Sequence, residues 1–302
     1  MITIGDNRYF VPILLILTVI TILLIPFSIS ASIITLSIVV ALIPHLPIIR
    51  VIRNNVGGES SSSLSSTKKK PLVYILVGLI SAGKSTTGFN TSQLFRRVKA
   101  PPPVSGSRQV IFIPEPVEIW EKSGMLDLFY KSFAKVIGKD TIFEPLLFQI
   151  TAFSTRVVAI KKAFITDPDA DAFILDSFMT VDREVFTRML IDSNRIPQDQ
   201  LPFYDLVYQN WNDIVLPELE ITRYIFLDVD PSNCLVRKET RDRESEKTSV
   251  SIEYLQELNR YFKKFINKDG IYEKLITIDA NGNQENVAMQ IRDIIEKDLL
   301  NR

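Results

Sequence analysis

Hydrophobic and polar positions divide the chain into three stretches of different texture. From 9 to 49 there is no Asp, Glu, Lys or Arg, and Ile, Leu and Val dominate, a run too long for a signal-peptide core or a buried globular helix. The pattern predicts a bilayer segment with membrane lipid as the partner of residues 10 to 49. Pro26, Phe27, Ser28, Ile29 and Ser30 split it into apolar runs near 10 to 25 and 31 to 49, so it forms either a hairpin of two short spans or one span with an interfacial piece. A cleaved targeting sequence is the alternative, but the run is about twice the usual length and lacks arginine-rich amphipathic character. Arg50 and Arg53 follow at once and Lys68, Lys69 and Lys70 soon after, which places the rest of the chain on the cytosolic side. Residues 54 to 70, NNVGGESSSSLSSTKKK, carry no periodic apolar positions and read as a flexible tether. The expected organisation is an anchor over 1–53, a linker over 54–70 and one domain over 71–302.

From 71 onward, short β-branched runs alternate with longer amphipathic ones, the signature of an α/β domain with a mostly parallel sheet flanked by helices. Five strands are predicted, at 72–77, 109–114, 172–176, 222–228 and 274–279. Helices are predicted at 84–97, 144–163, 179–192, 203–217, 231–241, 251–267 and 283–300. Roughly 230 residues suffice for one core of this class.

Charge and composition narrow the chemistry. Of 35 basic and 35 acidic residues, six basic but only two acidic ones precede position 71. The larger part is therefore mildly acidic, which argues against a nucleic-acid partner. A lone Cys234 forms no internal disulfide, and a lone His45 supports neither a histidine metal site nor a Ser-His-Asp triad.

The first predicted strand runs into Gly78-Leu-Ile-Ser81-Ala82-Gly83-Lys84-Ser85-Thr86. This fits G-x-x-x-x-G-K-[ST] in the strand-to-helix context that the motif requires. Backbone N–H groups around the glycines, Ser81, Ala82 and Thr86 cradle phosphate, Lys84 reaches the terminal phosphates, and Ser85 can ligate Mg²⁺. ATP and Mg²⁺ are the expected cofactors. The second strand ends in Pro114-Glu115-Pro116-Val117-Glu118-Ile119-Trp120, which puts a carboxylate, Glu115, where open parallel sheets place their ligands. Glu115 is positioned to act as a base.

A P-loop of the form G-x-x-x-A-G-K-S-T followed about 30 residues later by P-E-P-V-x-x-W resembles the deoxynucleoside kinases, which phosphorylate the 5′-hydroxyl of deoxynucleosides. The resemblance extends from 72 to about 298 and implies a P-loop kinase fold. It implies that Tyr130, in Met125-Leu-Asp-Leu-Phe-Tyr130-Lys, touches the sugar. It implies that Gln149 reads the base edge with Arg156 seven residues on, and that Asp182 and Phe186 face the base opposite Trp120. The segment Cys234-Leu-Val-Arg237, Arg241-Asp-Arg243 and Glu246 matches the family's lid. Arg237, Arg241 and Arg243 are thereby expected to stabilise the transferring phosphoryl group and Glu246 to serve the substrate. Each role has physical sense. A glutamine amide offers a donor and an acceptor together, and guanidinium groups suit charge spread over phosphoryl oxygens. A homodimer is implied by resemblance alone.

Two features depart from the family. Where E-R-S usually ends the third strand, this chain reads Asp176-Ser177-Phe178. Asp176 can still hold Mg²⁺ through water, but Ser177 cannot orient the catalytic carboxylate, which implies either reduced activity or a rewired site in which Arg183 or a lid arginine compensates. The stretch from 132 to 143 is also longer than usual. The first reading is thus an ATP-dependent deoxynucleoside kinase, with deoxycytidine or a purine deoxynucleoside favoured because a carboxylate at 182 accepts from an exocyclic amino group. Arg156 and Asp182 could instead form a purely structural ion pair between helices. A kinase-fold subunit of a membrane complex without turnover and a nucleoside monophosphate kinase of thymidylate type are the other two readings.

Overall fold

A computed structural model describes residues 69–97, 108–137, 142–215, 219–241 and 250–302. The anchor expected at 1–53 and nearly all of the linker lie outside the described residues, as do Arg243 and Glu246. Among the described residues no helix is long and apolar enough to cross a membrane.

Five parallel strands form one sheet in the order β2-β3-β1-β4-β5. They are β1 (Leu72–Val77), β2 (Val110–Ile113), β3 (Ala172–Asp176), β4 (Ile221–Asp228) and β5 (Leu275–Asp279). Strand β1 pairs with β3 from Leu72 opposite Ala172 and with β4 from Val73 opposite Ile221. Strands covered on both faces read as unbroken apolar runs, as LVYILV and AFILD do, and both are buried throughout but for Leu72. The edge strand β5 is less covered, with Ile278 its one buried residue between exposed Thr277 and Asp279.

The helices between them are α1 (Lys84–Arg97), α2 (Val117–Lys122), α3 (Met125–Lys131), α4 (Glu144–Thr166), α5 (179–192), α6 (Leu201–Val215), α7 (Pro231–Thr240), α8 (Ile252–Ile266) and α9 (Gln284–Leu300). Expected and observed bounds differ mainly at caps. Ser251 and Asn283, counted within the predicted helices, are N-caps whose side chains accept from Tyr254 N and Glu285 N at 3.2 and 2.7 Å. Helices α2 and α3 escape periodicity analysis because each is under two turns long. Gly124, at φ +73°, makes the break between them. Helix α5 is not regular: Asp182–Thr187 forms a π-helical turn between Met179–Val181 and Arg188–Asp192, which widens the helix where two expected site residues sit.

Close packing of α1 on the sheet depends on Gly88, where a Cβ would stand 2.3 Å from the Phe112 ring. Helix α8 buries Leu255, Leu258, Phe262 and Phe265 along one stripe, the spacing that its sequence predicts. Helix α9 is tied to the sheet by a polar clamp. Arg223 of β4 donates to both carboxylate oxygens of Asp298 at 2.9 and 2.8 Å, and Tyr74 of β1 donates to it at 3.2 Å. The Arg223 hydrogen bond, working against burial, holds the Asp298 carboxyl below the usual aspartate range. A depressed carboxylate stabilises the fold above its unfolded pKa and loses that contribution as pH falls through its folded value. Asp298→Asn is expected to cost about 1–2 kcal/mol at pH 7 in urea unfolding. The gap to wild type should begin to close near about pH 4 and vanish below it. A gap that persisted at low pH would show that charge is not what Asp298 contributes.

Candidate active site

Because the chain leaves β1 for β2 and β3 on one side and only then crosses to β4 and β5 on the other, the sheet's topology switches beside β1. Ligand crevices in open α/β sheets form outside the strand ends at such a point. The ends of β1, β2 and β3 deliver, in turn, the loop from Gly78 to Gly83, Glu115, and Asp176 with Ser177. They open on a cavity of about 500 Å³.

The loop after β1 turns tightly. At Gly78, φ is +154° and a Cβ would stand 2.9 Å from the Leu227 carbonyl of β4, so no other residue fits. Gly83, at +96°, leaves room for the Gln284 amide of α9. Ser81 holds a left-handed φ of +61° although it is not glycine, and its hydroxyl is buried with no partner, a strained arrangement of the kind found at functional loops. Lys84 folds back across this turn and donates to the Gly78 and Leu79 carbonyls at 2.9 and 3.0 Å. Gly78, Ser81, Gly83, Lys84, Ser85 and Thr86 all line the cavity. Ala82 does not; its carbonyl accepts from Arg237 at 3.2 Å.

Ser85 Oγ donates to Asp176 Oδ2 at 2.5 Å. Asp176 is buried, and its other oxygen has no protein partner. Burial, with Glu115 adding, pushes this carboxyl up to about 6 despite Lys84, Ser85 and Arg156. A hydroxyl beside an uncompensated, buried carboxylate oxygen is an oxygen-only donor set that fits Mg²⁺, which takes one or two carboxylates and completes its shell with water and phosphate. Among the described residues no cluster of three or more His, Cys, Asp or Glu competes for a metal.

Glu115 leads from β2 towards α2 and lines the cavity. Its Oε1 accepts from Arg156 Nη2 at 2.6 Å, and Arg156 Nη1 donates to Asp182. Arg156 lies on α4 and is almost fully buried, as is Asp182 on the π turn of α5. Burial works against the Arg156 charge, but Asp182 and then Glu115 outweigh it and hold the guanidinium above its ordinary range. Burial also pushes Asp182 up to about 7, against the pull of Arg156. These directions oppose each other within one ion pair. A guanidinium does not lose its proton, so Asp182 is the partner whose charge can yield.

At the other end of the cavity the walls are aromatic. Trp120 meets Phe148 edge-on with centroids 5.5 Å apart, and Phe148 stacks on Phe129 at 4.5 Å. Trp120 is oriented by its Nε1, which donates to Thr155 Oγ1 at 2.8 Å. Phe186 stands perpendicular to Phe262 at 5.9 Å. Tyr130, Gln149, Asp182 and Phe186 all line this part, and Gln149 Oε1 accepts from Thr187 at 3.3 Å.

The expected residues that are described line one cavity, apart from Ala82 and from Asp176 just behind Ser85, with three qualifications. Arg237 lines it, but its guanidinium is engaged by the carbonyls of Ala82, Ala280 and Asn281, so it braces the P-loop against the loop after β5. Arg241 lines the cavity with an exposed side chain, while Arg243 and Glu246 are outside the described residues. The expectation that Arg183 orients Glu115 is corrected, while of the lid arginines Arg237 is engaged on backbone carbonyls and Arg243 lies outside the described residues. Arg183 is turned away, bonded to Asp205 at 3.2 and 3.0 Å and to Glu184 at 2.7 Å, and Arg156 holds Glu115. Sequence reasoning missed Phe129, Ala152, Tyr254 and Gln284 as lining residues. Ala152 was within reach of periodicity, since Gln149, Ala152 and Arg156 share one helical face. Gln284 carries no local signal because tertiary packing alone brings α9 to the P-loop.

A model of the deoxynucleoside kinase family matches residues 75–300. The chain is similar to deoxycytidine kinase 2 of Gallus gallus, with 25% identity over 264 residues that cover 79% of this chain and 88% of that protein. It is also similar to putative kinase protein 029R of Invertebrate iridescent virus 3, with 26% identity over 234 residues, covering 75% and 98%. The chain belongs to the deoxynucleoside kinase family.

Arg156 compensates two carboxylates, so removing it leaves buried charge unpaired. Arg156→Met is expected to cost about 3–5 kcal/mol at pH 8. Burial and Glu115 push the Asp182 carboxyl up, and without the opposing pull of Arg156 it stands higher still, so its buried charge is relieved as it takes a proton on falling pH. The loss should therefore shrink at pH 5. Denaturant unfolding of both proteins at the two pH values checks this, and an equal loss at both would contradict the assignment of buried charge.

Proposed function

We propose that the chain transfers the γ-phosphoryl group of ATP to the 5′-hydroxyl of a deoxynucleoside, giving the monophosphate. The observation that carries this reading is the single cavity into which the P-loop, Glu115 and the aromatic walls with Gln149 and Asp182 all open. Glu115 takes the 5′-hydroxyl proton, the oxygen attacks the γ-phosphorus, and the bond to the β-phosphate oxygen breaks. Lys84 leaves its loop carbonyls for the terminal phosphates, and Arg241 meets the phosphoryl oxygens from the lid side. Ser85 and Asp176 are the residues that would hold Mg²⁺, which would supply neutralisation of phosphate charge. Trp120, Phe186 and Phe148 sandwich the base, Gln149 pairs with its edge, and Tyr130 touches the sugar.

Base preference follows from Asp182, a buried acceptor that suits the exocyclic amino group of cytosine or adenine and leaves a thymine carbonyl without a donor. Deoxycytidine or a purine deoxynucleoside is the proposed substrate. Ser177 favours a second reading, a kinase-fold subunit without turnover, because its buried hydroxyl has no partner and supplies no cation. The intact P-loop and the Arg156 contact to Glu115 weigh for catalysis. We also propose that the apolar run from 9 to 49 anchors the domain on the cytosolic face of a membrane, a reading that rests on hydropathy and flanking charge.

Labelled ATP assayed with the four deoxynucleosides and their monophosphates tests the reaction. Turnover of deoxycytidine, deoxyadenosine or deoxyguanosine above thymidine is expected; turnover of monophosphates alone would replace the proposal with the thymidylate-kinase type. Glu115→Gln should keep nucleoside binding but lose about 10²- to 10⁴-fold in kcat, and Lys84→Ala should raise the KM for ATP. Near-normal kcat in Glu115→Gln would overturn the assigned mechanism. Alkaline extraction of membranes tests the anchor: the full chain is expected in the pellet and a chain starting at 71 in the supernatant. Release of the full chain would refute anchoring.

A further inference from the structure

Glu115 and Asp182 reach the cavity from different parts of the fold, one after β2 and the other on the π turn of α5 with Phe186. Both are held by the same side chain. Arg156 Nη2 donates to Glu115 at 2.6 Å and Nη1 to Asp182. The remaining guanidinium nitrogen, Nε, is buried and makes no hydrogen bond, so the fork has no third tether. Its Cζ lies 5.7 Å from the centroid of the Trp120 ring, so the two carboxylates are its only hydrogen-bonded tethers among the described residues. From β3, Ser177 contributes only a hydroxyl without a partner, so among the described residues nothing else supplements Arg156 on Glu115. A planar fork that spans two acceptors through separate nitrogens cannot tighten on one without moving at the other.

We propose that Arg156 is a positioning residue shared between base reading and proton transfer, so that the base met by Asp182 sets how Arg156 holds Glu115 and base identity is expressed in kcat. This inference rests on the kinase reading above and deepens it. A base that offers an N–H leaves Asp182 ionised and the fork stretched between both carboxylates. A base that presents a carbonyl repels the Asp182 carboxylate and forces it to turn. Nη1 then loses its acceptor, and the guanidinium shifts towards Glu115. The general base is displaced from the 5′-hydroxyl, and the wrong nucleoside can bind and still turn over slowly. Discrimination of this kind falls on the chemical step, whereas independent recognition by Asp182 would fall on binding.

Steady-state kcat and KM for deoxycytidine, deoxyadenosine, deoxyguanosine and thymidine, at saturating ATP, test the proposal in the wild-type protein. The four kcat values are expected to spread about 10- to 100-fold, the penalty for a misplaced reacting group. Discrimination confined to KM, with equal kcat, would overturn it. Asp182→Asn should lower kcat for every accepted nucleoside and compress the spread, with the KM for ATP unchanged. Arg156→Lys should do the same, because an ammonium cannot span both carboxylates. A kcat retained in both variants would also overturn it. Wild-type protein silent on all four nucleosides sinks the kinase reading instead. The clamp is then read from thermal midpoints of Glu115→Gln, Asp182→Asn and the double variant. Shifts that fail to add support shared tethering, and additive shifts overturn it.

Discussion

The placement of β1 in the middle of an all-parallel sheet is the constraint from which the site follows. Parallel strands present their C-terminal ends on one side, so the residues that leave β1, β2 and β3 emerge together although 98 positions separate Gly78 from Asp176. The strand is buried on both faces, and Gly78 passes so close to the Leu227 carbonyl that the loop has one path out. That path aims the backbone N–H groups and Lys84 at the crevice. The cradle is fixed by the sheet's interior together with the bonds of Lys84 and Ala82 N to the Gly78 and Leu79 carbonyls.

Against this apolar frame the site keeps several charges that water does not reach. Arg156, Asp182 and Asp176 are each almost fully buried. Groups of this kind persist only where they are paired, and a pair leaves little net stability once desolvation is counted. Their value lies in position. The guanidinium sets the separation of Glu115 and Asp182, and the unsatisfied oxygen of Asp176 is held where a cation would find it. The ion pair of Arg156 with Asp182 ties α4 to α5, and both residues also line the cavity.

The π turn illustrates how far local pattern reaches. Helical periodicity over 179–192 was sufficient to locate α5 but carries no sign of the widened turn at Asp182–Thr187, because a π turn depends on what packs against it. That turn presents Asp182 and Phe186 to the same cavity. In the same way, the loss of an arginine at 177 was plain in the sequence. That Arg156 is the residue bonded to Glu115 was not, since the two stand 41 positions apart.

By itself the sequence determined what short-range chemistry determines: the buried strands, because a doubly covered strand must be continuously apolar; the helices with long amphipathic stripes; and the phosphate loop, because only glycine tolerates its backbone path. It also showed, through resemblance, which side chains belong together. Tertiary structure decided which of those side chains touch. It turned Arg183 away to Asp205, engaged Arg237 on backbone carbonyls, and brought Gln284 of the last helix to the P-loop. Such contacts depend on angles and depths set by packing over the whole sheet, and no local run of residues encodes them.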